Sequence, residues 1–247
     1  MADLTPMMRQ YLEIKEQNKD SILFFRLGDF YEMFNEDAKL AARELDLALT
    51  TRDRGKSAEE QTPMCGIPYH SSDGYIARLI AKGYKVAIAE QMEDPKQAKG
   101  LVKREVIRVV TPGTLTNSQV LEESKNNYLM GIVYIDGVFG VSTVDVSTGD
   151  YLVTEVRNER SLLDEIYKFS PSELICNEAF YMSGIDLEDL KVRLNAVISA
   201  LENRFFSDDS CRRILREHFH VEHLEALGLA DYETGAIAAG AVLQYLY

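Results

Sequence analysis

At 247 residues the chain has room for two domains of ordinary size, each able to bury a core, and 46% hydrophobic against 27% charged residues describes a globular protein. No run approaches the ~18 apolar residues of a membrane span, and the N-terminus lacks a signal-peptide pattern, so membrane and secreted classes are set aside in favour of the cytoplasm. The net charge of −13 argues at first against a nucleic-acid partner, and three widely spaced cysteines (Cys65, Cys176, Cys211) argue for reduced thiols rather than a disulfide framework or a zinc site.

Thr5-Pro6 opens a helix, with an N-cap hydroxyl followed by proline, and Met8, Tyr11, Leu12 and Lys15 form its inner stripe. The apolar run Ser21–Leu27 reads as a buried strand. Gly28-Asp29 breaks it as a turn, since glycine accepts φ > 0 and aspartate bonds its own backbone. Phe30 and Glu32 follow, two positions apart. In an extended backbone they project side by side. The bland alternative makes Phe30 and Phe34 core and Glu32 a solvated acid. A helix starting at Asn35-Glu36-Asp37 also leaves open whether Glu32 is helical, in which case the pair diverges. That helix runs to about Asp46. Leu47–Thr51 reads as a short strand, 52–61 as an exposed loop, and Pro63 and Pro68 as forbidding a central strand. A helix from Ser72 to Lys82 stops at Gly83, and strands follow at Tyr84–Glu90 and Glu105–Val110. The pattern is an α+β domain around a mixed sheet, residues 1–114.

Residues 115–127 are polar and aperiodic and read as a linker. Beyond them, strands at 128–135, 138–146 and 151–156 are joined by Asp136-Gly137 and Ser147–Asp150, a strong hairpin signal. Helices and strands then alternate: helix 159–169, strand 172–176, a helix, strand 195–200, helix 208–218. Three antiparallel strands followed by αβαβα is the order of a ribonuclease-H-like α/β domain, residues 128–230. From Asp231 an Ala-rich helix runs to Tyr247 without a cap. It reads as the start of a further, all-α core domain in an incomplete chain.

Four strings in order carry a resemblance: Gly28-Asp29-Phe30-Tyr31-Glu32-Met33-Phe34, Thr62–His70, Val86–Gln91 and Arg108–Thr114. Together with Thr5–Leu12 before the first of them, they resemble the mismatch-recognition domain of the MutS family of DNA mismatch-repair proteins. The family's connector domain, which is ribonuclease-H-like, matches the second half. The resemblance implies that Phe30 wedges into the minor groove and stacks on a mispaired or unpaired base, and that Glu32 hydrogen-bonds that base. Arg52, Arg104 and Arg108 would hold phosphates, and Met64 would pack at the sugar edge. It also implies double-stranded DNA with mismatches or small loops as ligand, a MutL-type partner at the connector, a homodimer, and ATP with Mg²⁺ in the intact protein. No phosphate-binding loop occurs here, so this segment itself is expected to be a binding module with no cofactor, metal or catalytic residue.

The charge balance fits that reading once it is divided. Residues 1–120 hold 17 Lys+Arg against 18 Asp+Glu, whereas residues 121–247 hold 10 against 22. Basic residues cluster in the first half at 52–56 and 96–108, where they can neutralise phosphates locally. Two alternatives stand beside it. One is a metal-dependent nuclease on the second domain, with Asp145 on its second strand. The other is a family paralogue that does not read mismatches. His70, His218, His220 and His223 have no completing partner set for a metal.

Overall fold

Helix α1 (Pro6–Gln17) begins where Thr5 Oγ1 accepts the Met8 amide at 3.3 Å, with Pro6 in the first turn. The computed structural model describes residues 4–52, 55, 61–93, 100–116 and 126–247. They fall into two compact units, Met1–Thr111 and Pro112–Tyr247.

The first unit continues through β1 (Ser21–Leu27), β2 (Phe30–Phe34), α2 (Asn35–Leu45), β3 (Thr50–Thr51), β4 (Pro63–Pro68), α3 (Ser72–Ala81), β5 (Lys85–Gln91) and β6 (Arg104–Val110). The strands form one mixed sheet in the order β3-β4-β2-β1-β5-β6, with β1 antiparallel to β2 and parallel to β5. Alternation along each strand splits its side chains between two cores. On one face Met7, Met8 and Tyr11 of α1 cover Leu23, Phe25, Phe34, Ala87 and Ala89. The other face carries α2 and α3. Asp37 pins these layers together. Its carboxylate takes Lys15 Nζ at 2.9 Å, the Leu23 amide at 3.0 Å and the Tyr11 hydroxyl at 3.3 Å. A buried carboxylate satisfied by three groups from α1 and β1 avoids the desolvation cost of an unpaired one.

One local expectation is corrected and one open reading is settled. The Pro63–Pro68 segment is an internal strand, not a break. Pro63 stands opposite Thr51, the last residue of β3, and Pro68 opposite Phe30, the first of β2. The ladder thus loses proline donors only where a neighbouring strand gives out. Asn35 makes no side-chain cap; it takes φ +54° and turns the chain from β2 into α2. Glu32 therefore stays in extended backbone.

In the second unit Pro112–Thr114 forms a 3₁₀ turn, followed by β7 (Tyr128–Ile135), β8 (Val138–Asp145), β9 (Asp150–Val156), α4 (Glu159–Phe169), β10 (Glu173–Cys176), α5 (Glu178–Tyr181), α6 (Leu187–Leu194), β11 (Val197–Ala200), α7 (Asp208–Phe219) and α8 (Glu233–Leu246). Asp136 and Gly137 both take positive φ, as a two-residue hairpin turn needs. Strand order is β11-β10-β7-β8-β9, with β7–β9 an antiparallel meander and β10 and β11 added parallel to β7. One face packs Met130, Ile132 and Val141 against Leu162, Ile166, Phe180, Leu187 and Leu190. α8 covers the other face and α7 packs on α8.

Gly113 belongs to this unit, because its amide donates to the buried Glu173 carboxylate at 2.9 Å. The two compact units meet between Thr111 and Pro112. Most of the expected linker lies outside the described residues. The Ala-rich helix expected to open a separate helical domain instead fills the sheet face of the second unit, with Thr234–Leu243 buried. Close approach explains the composition. A Cβ on Gly140 of β8 would come within 2.3 Å of the Thr234 carbonyl oxygen, and one on Gly131 of β7 within 2.5 Å of Val242. Glycines on the strands and small residues on the helix let the two backbones nearly touch.

Candidate nucleic-acid interface

The β1–β2 hairpin closes through Gly28-Asp29, with Gly28 at φ +58° and Leu27 opposite Phe30. Phe34 enters the core at 0% exposure, whereas Phe30, four residues earlier, is 47% exposed. The bland alternative of a core Phe30 and a fully solvated Glu32 does not describe the fold. Phe30 and Glu32 lie on the same face of β2, and Gly66 of β4 is the floor between them. A Cβ there would sit 3.5 Å from Glu32 Cγ and 3.9 Å from Phe30 Cδ1.

Glu32 is flanked by the fully buried Phe25 and by Gly66. Its Oε2 is buried and, among the described residues, has no hydrogen-bond partner; Arg52 Nη1 forms an ion pair with it at 3.8 Å. Burial raises the carboxyl's pKa above its ordinary value, and Arg52 only partly offsets this. A half-buried acid next to an exposed ring puts a stacking surface and a hydrogen-bond acceptor on one face of β2.

The remaining candidates divide. Arg52 stays beside the pair, its side chain 43% exposed, with its guanidinium carbon 6.0 Å from the Phe34 ring centre. Met64 is half-buried and packs into the α1-side core with Ile14, Leu27 and Val106. Arg104 is not a surface cation. It is 6% exposed and donates to the carbonyls of Arg26 (2.6 Å) and Val102 (2.7 Å) and to Gln10 Oε1 (3.1 Å), with Phe25 under its guanidinium at 4.9 Å. Its charge ties β6 to β1 and α1, so the phosphate-holding role implied for it does not fit. Arg108 is exposed on β6, with β1 and β5 between it and β2. Arg54, Lys56, Lys96 and Lys99 lie outside the described residues.

Sequence reasoning passed over Gly66, Arg26 and Tyr69. A glycine midway between two strand-terminal prolines was a signal for close approach; nothing in the sequence marked the other two.

In the second unit Asp145, the acid of the nuclease alternative, is fully buried and occupied. It accepts the amides of Asn127 (3.0 Å) and Ser147 (2.8 Å) and the Ser147 hydroxyl (2.6 Å). Burial pushes its pKa up, but these bonds more than offset it and hold the group below its ordinary value. Among the described residues no three His, Cys, Asp or Glu side chains group to hold a metal ion. Cys65, Cys176 and Cys211 are buried free thiols, pushed up by burial to about 11, 12 and 12. Among the described residues no helix is long and apolar enough to cross a membrane.

Comparison with known families matches residues 5–119 to MutS domain I and residues 127–247 to MutS domain II. The chain belongs to the MutS family. It is similar to the DNA mismatch repair protein MutS of Lachnoclostridium phytofermentans, at 60% identity over all of this chain and 26% of that protein. Its likeness to the Acetivibrio thermocellus protein of the same name is 53%, over all of this chain and 28% of that one. The Methanococcoides burtonii protein is 47% identical over 99% of this chain and 28% of its own length. The chain thus spans little more than a quarter of these MutS relatives. A solved structure, T. thermophilus RuvC with a Holliday junction substrate, aligns with 47% of this chain at TM-score 0.34 and 12% identity, too low to carry an argument. All six candidate residues, Phe30, Glu32, Arg52, Met64, Arg104 and Arg108, fall within the MutS domain I match.

Proposed function

We propose that the first unit is a mismatch sensor for double-stranded DNA, in which Phe30 stacks on a mispaired or unpaired base and Glu32 hydrogen-bonds it. One observation carries this reading: an exposed aromatic ring stands beside a half-buried carboxylate on the same face of β2. An apolar wedge unstacks a base step and bends the duplex from the minor groove, and a mismatch lowers the energy of that deformation at any sequence. The ring supplies stacking and the oxygen supplies a bond that only a displaced base can answer. Arg52 and Arg108 supply positive charge near phosphates, without sequence information.

The second unit is read as a ribonuclease-H-like connector, on the support of a meander flanked by two parallel strands. ATP and Mg²⁺ handling, dimerisation and a MutL-type partner are assigned to the longer cytoplasmic protein of which such units form part, with the partner docking on the connector.

The test uses a hybrid in which these 247 residues replace the matching segment of the Lachnoclostridium phytofermentans relative. Base–aromatic stacking is worth about 1–3 kcal/mol, so Phe30→Ala is expected to cut the preference for mismatched over perfect duplex by about one to two orders of magnitude. Wild-type preference in that variant removes Phe30 from the site.

A further inference from the structure

A ring at a hairpin tip wedges a base step only if the tip is stiff. This turn is braced from the face opposite Phe30. Arg26 Nε donates to the Gly28 carbonyl at 2.5 Å. Its Nη1 pairs with Glu90 Oε1 of β5 at 3.3 Å, an oxygen that also accepts the Tyr31 hydroxyl. Its guanidinium carbon lies 3.5 Å over the centre of the Tyr69 ring. Tyr69, just past β4, donates its own amide to the Asp29 carbonyl at 3.0 Å. Both carbonyls of the two-residue turn are therefore held, one by Arg26 and one by the residue on which Arg26 stacks. The Arg26 side chain is 15% exposed, so its charge is directed inward.

We propose that Arg26 is a positioning residue for mismatch reading, a strut between Glu90 and Tyr69 that holds the Gly28-Asp29 turn and so pre-orders Phe30 before DNA arrives. This rests on the reading of Phe30 given above. A side chain ordered in advance loses less freedom on insertion, and that advantage applies only where insertion happens, at the mismatch. Phosphate-driven affinity for perfect duplex does not depend on it. A planar, delocalised cation is needed, because it must hydrogen-bond in its plane and stack on its face at once.

Two measurements test it. The chain contains no tryptophan, so Phe30→Trp provides a single fluorescent probe at the site. In that background Arg26→Gln is expected to lower the fluorescence anisotropy of the introduced indole and raise its acrylamide quenching, with far-UV circular dichroism unchanged. In the hybrid with native Phe30, Arg26→Gln is expected to weaken mismatched-duplex binding about two- to tenfold while leaving perfect-duplex binding within about twofold. Arg26→Lys should recover little of either loss. If Arg26→Gln does not fold, Tyr69→Leu, at a ring 41% exposed, removes the stacking platform and is expected to give both effects more weakly. Unchanged anisotropy, or equal weakening on both duplexes, overturns the strut. If Phe30→Ala itself leaves discrimination intact, mismatch reading by Phe30 fails, and the anisotropy arm, which uses no DNA, still decides whether Arg26 orders the side chain at position 30.

Discussion

Glu32 brings a half-buried carboxyl to the face of β2 that carries Phe30, and its protonation sets how that face behaves with pH. Burial favours the neutral form, so the folded-state pKa lies above the ordinary value. Between those two values the folded state binds more protons than the unfolded one. Stability therefore falls as pH rises through that window, and the cost is absent below it. DNA phosphates and loss of water at the groove push in the same direction. Affinity for mismatched duplex is expected to rise as pH falls through the raised pKa of Glu32, and Glu32→Gln should flatten that dependence. At neutral pH the same substitution should tighten perfect duplex more than mismatched, because only a displaced base compensates the charge. Paired dissociation constants at one salt concentration check both statements. An unchanged ratio between the two duplexes removes Glu32 from mismatch reading.

At the scale of elements, α8 and the sheet beneath it are the most sensitive to a single added carbon. Gly140→Ala places a methyl 2.3 Å from the Thr234 carbonyl oxygen, a backbone atom that cannot rotate away. It is expected to destabilise the second unit by about 1–3 kcal/mol, read as a lower Tm. The same elements show what the sequence could disclose. Asp136-Gly137 bounded β7 and β8 to within a residue, because a two-residue hairpin turn has a local chemical signature. α8 itself was visible as a helix, but its partner was not. What makes it a sheet-covering helix is Gly131 and Gly140, about a hundred positions earlier, and no local pattern links them. Arg104 failed for the same reason: a cluster of basic residues looked like surface charge, while Gln10 and the Arg26 carbonyl that bury it lie far away in sequence. The side-by-side placement of Phe30 and Glu32 was legible because turn, spacing and strand all fall within five residues, whereas their assignment to a DNA site rested on the resemblance. The strut beneath them joins β1, β5 and the segment after β4, and was not legible.

Across the whole molecule the charge is divided by unit. Residues 1–111 carry −1 and residues 112–247 carry −12, so proximity to a polyanion suits only the first. The second has its own two-sided core and is expected to fold as an isolated 112–247 segment. That segment should show cooperative unfolding and no binding to either perfect or mismatched duplex at about 0.15 M salt, where electrostatic repulsion still acts over the ~8 Å screening length. Measurable duplex affinity of the isolated segment would move part of the DNA surface out of the first unit.

The position of α8 along the chain also matters during biosynthesis. The meander it covers ends at Val156, and α8 begins at Glu233. Ribosomes add roughly 5–20 residues per second, so several seconds separate emergence of the last meander strand from arrival of its cover. Throughout that interval Val133 and Val144, and the glycine track with them, face water on the nascent chain. The first unit has by then released all its strands, through Val110. A translational pause between 156 and 233 would thus display a sticky half-built sheet downstream of a finished domain, and that is the stretch where a ribosome-associated holdase has a hydrophobic target to grip.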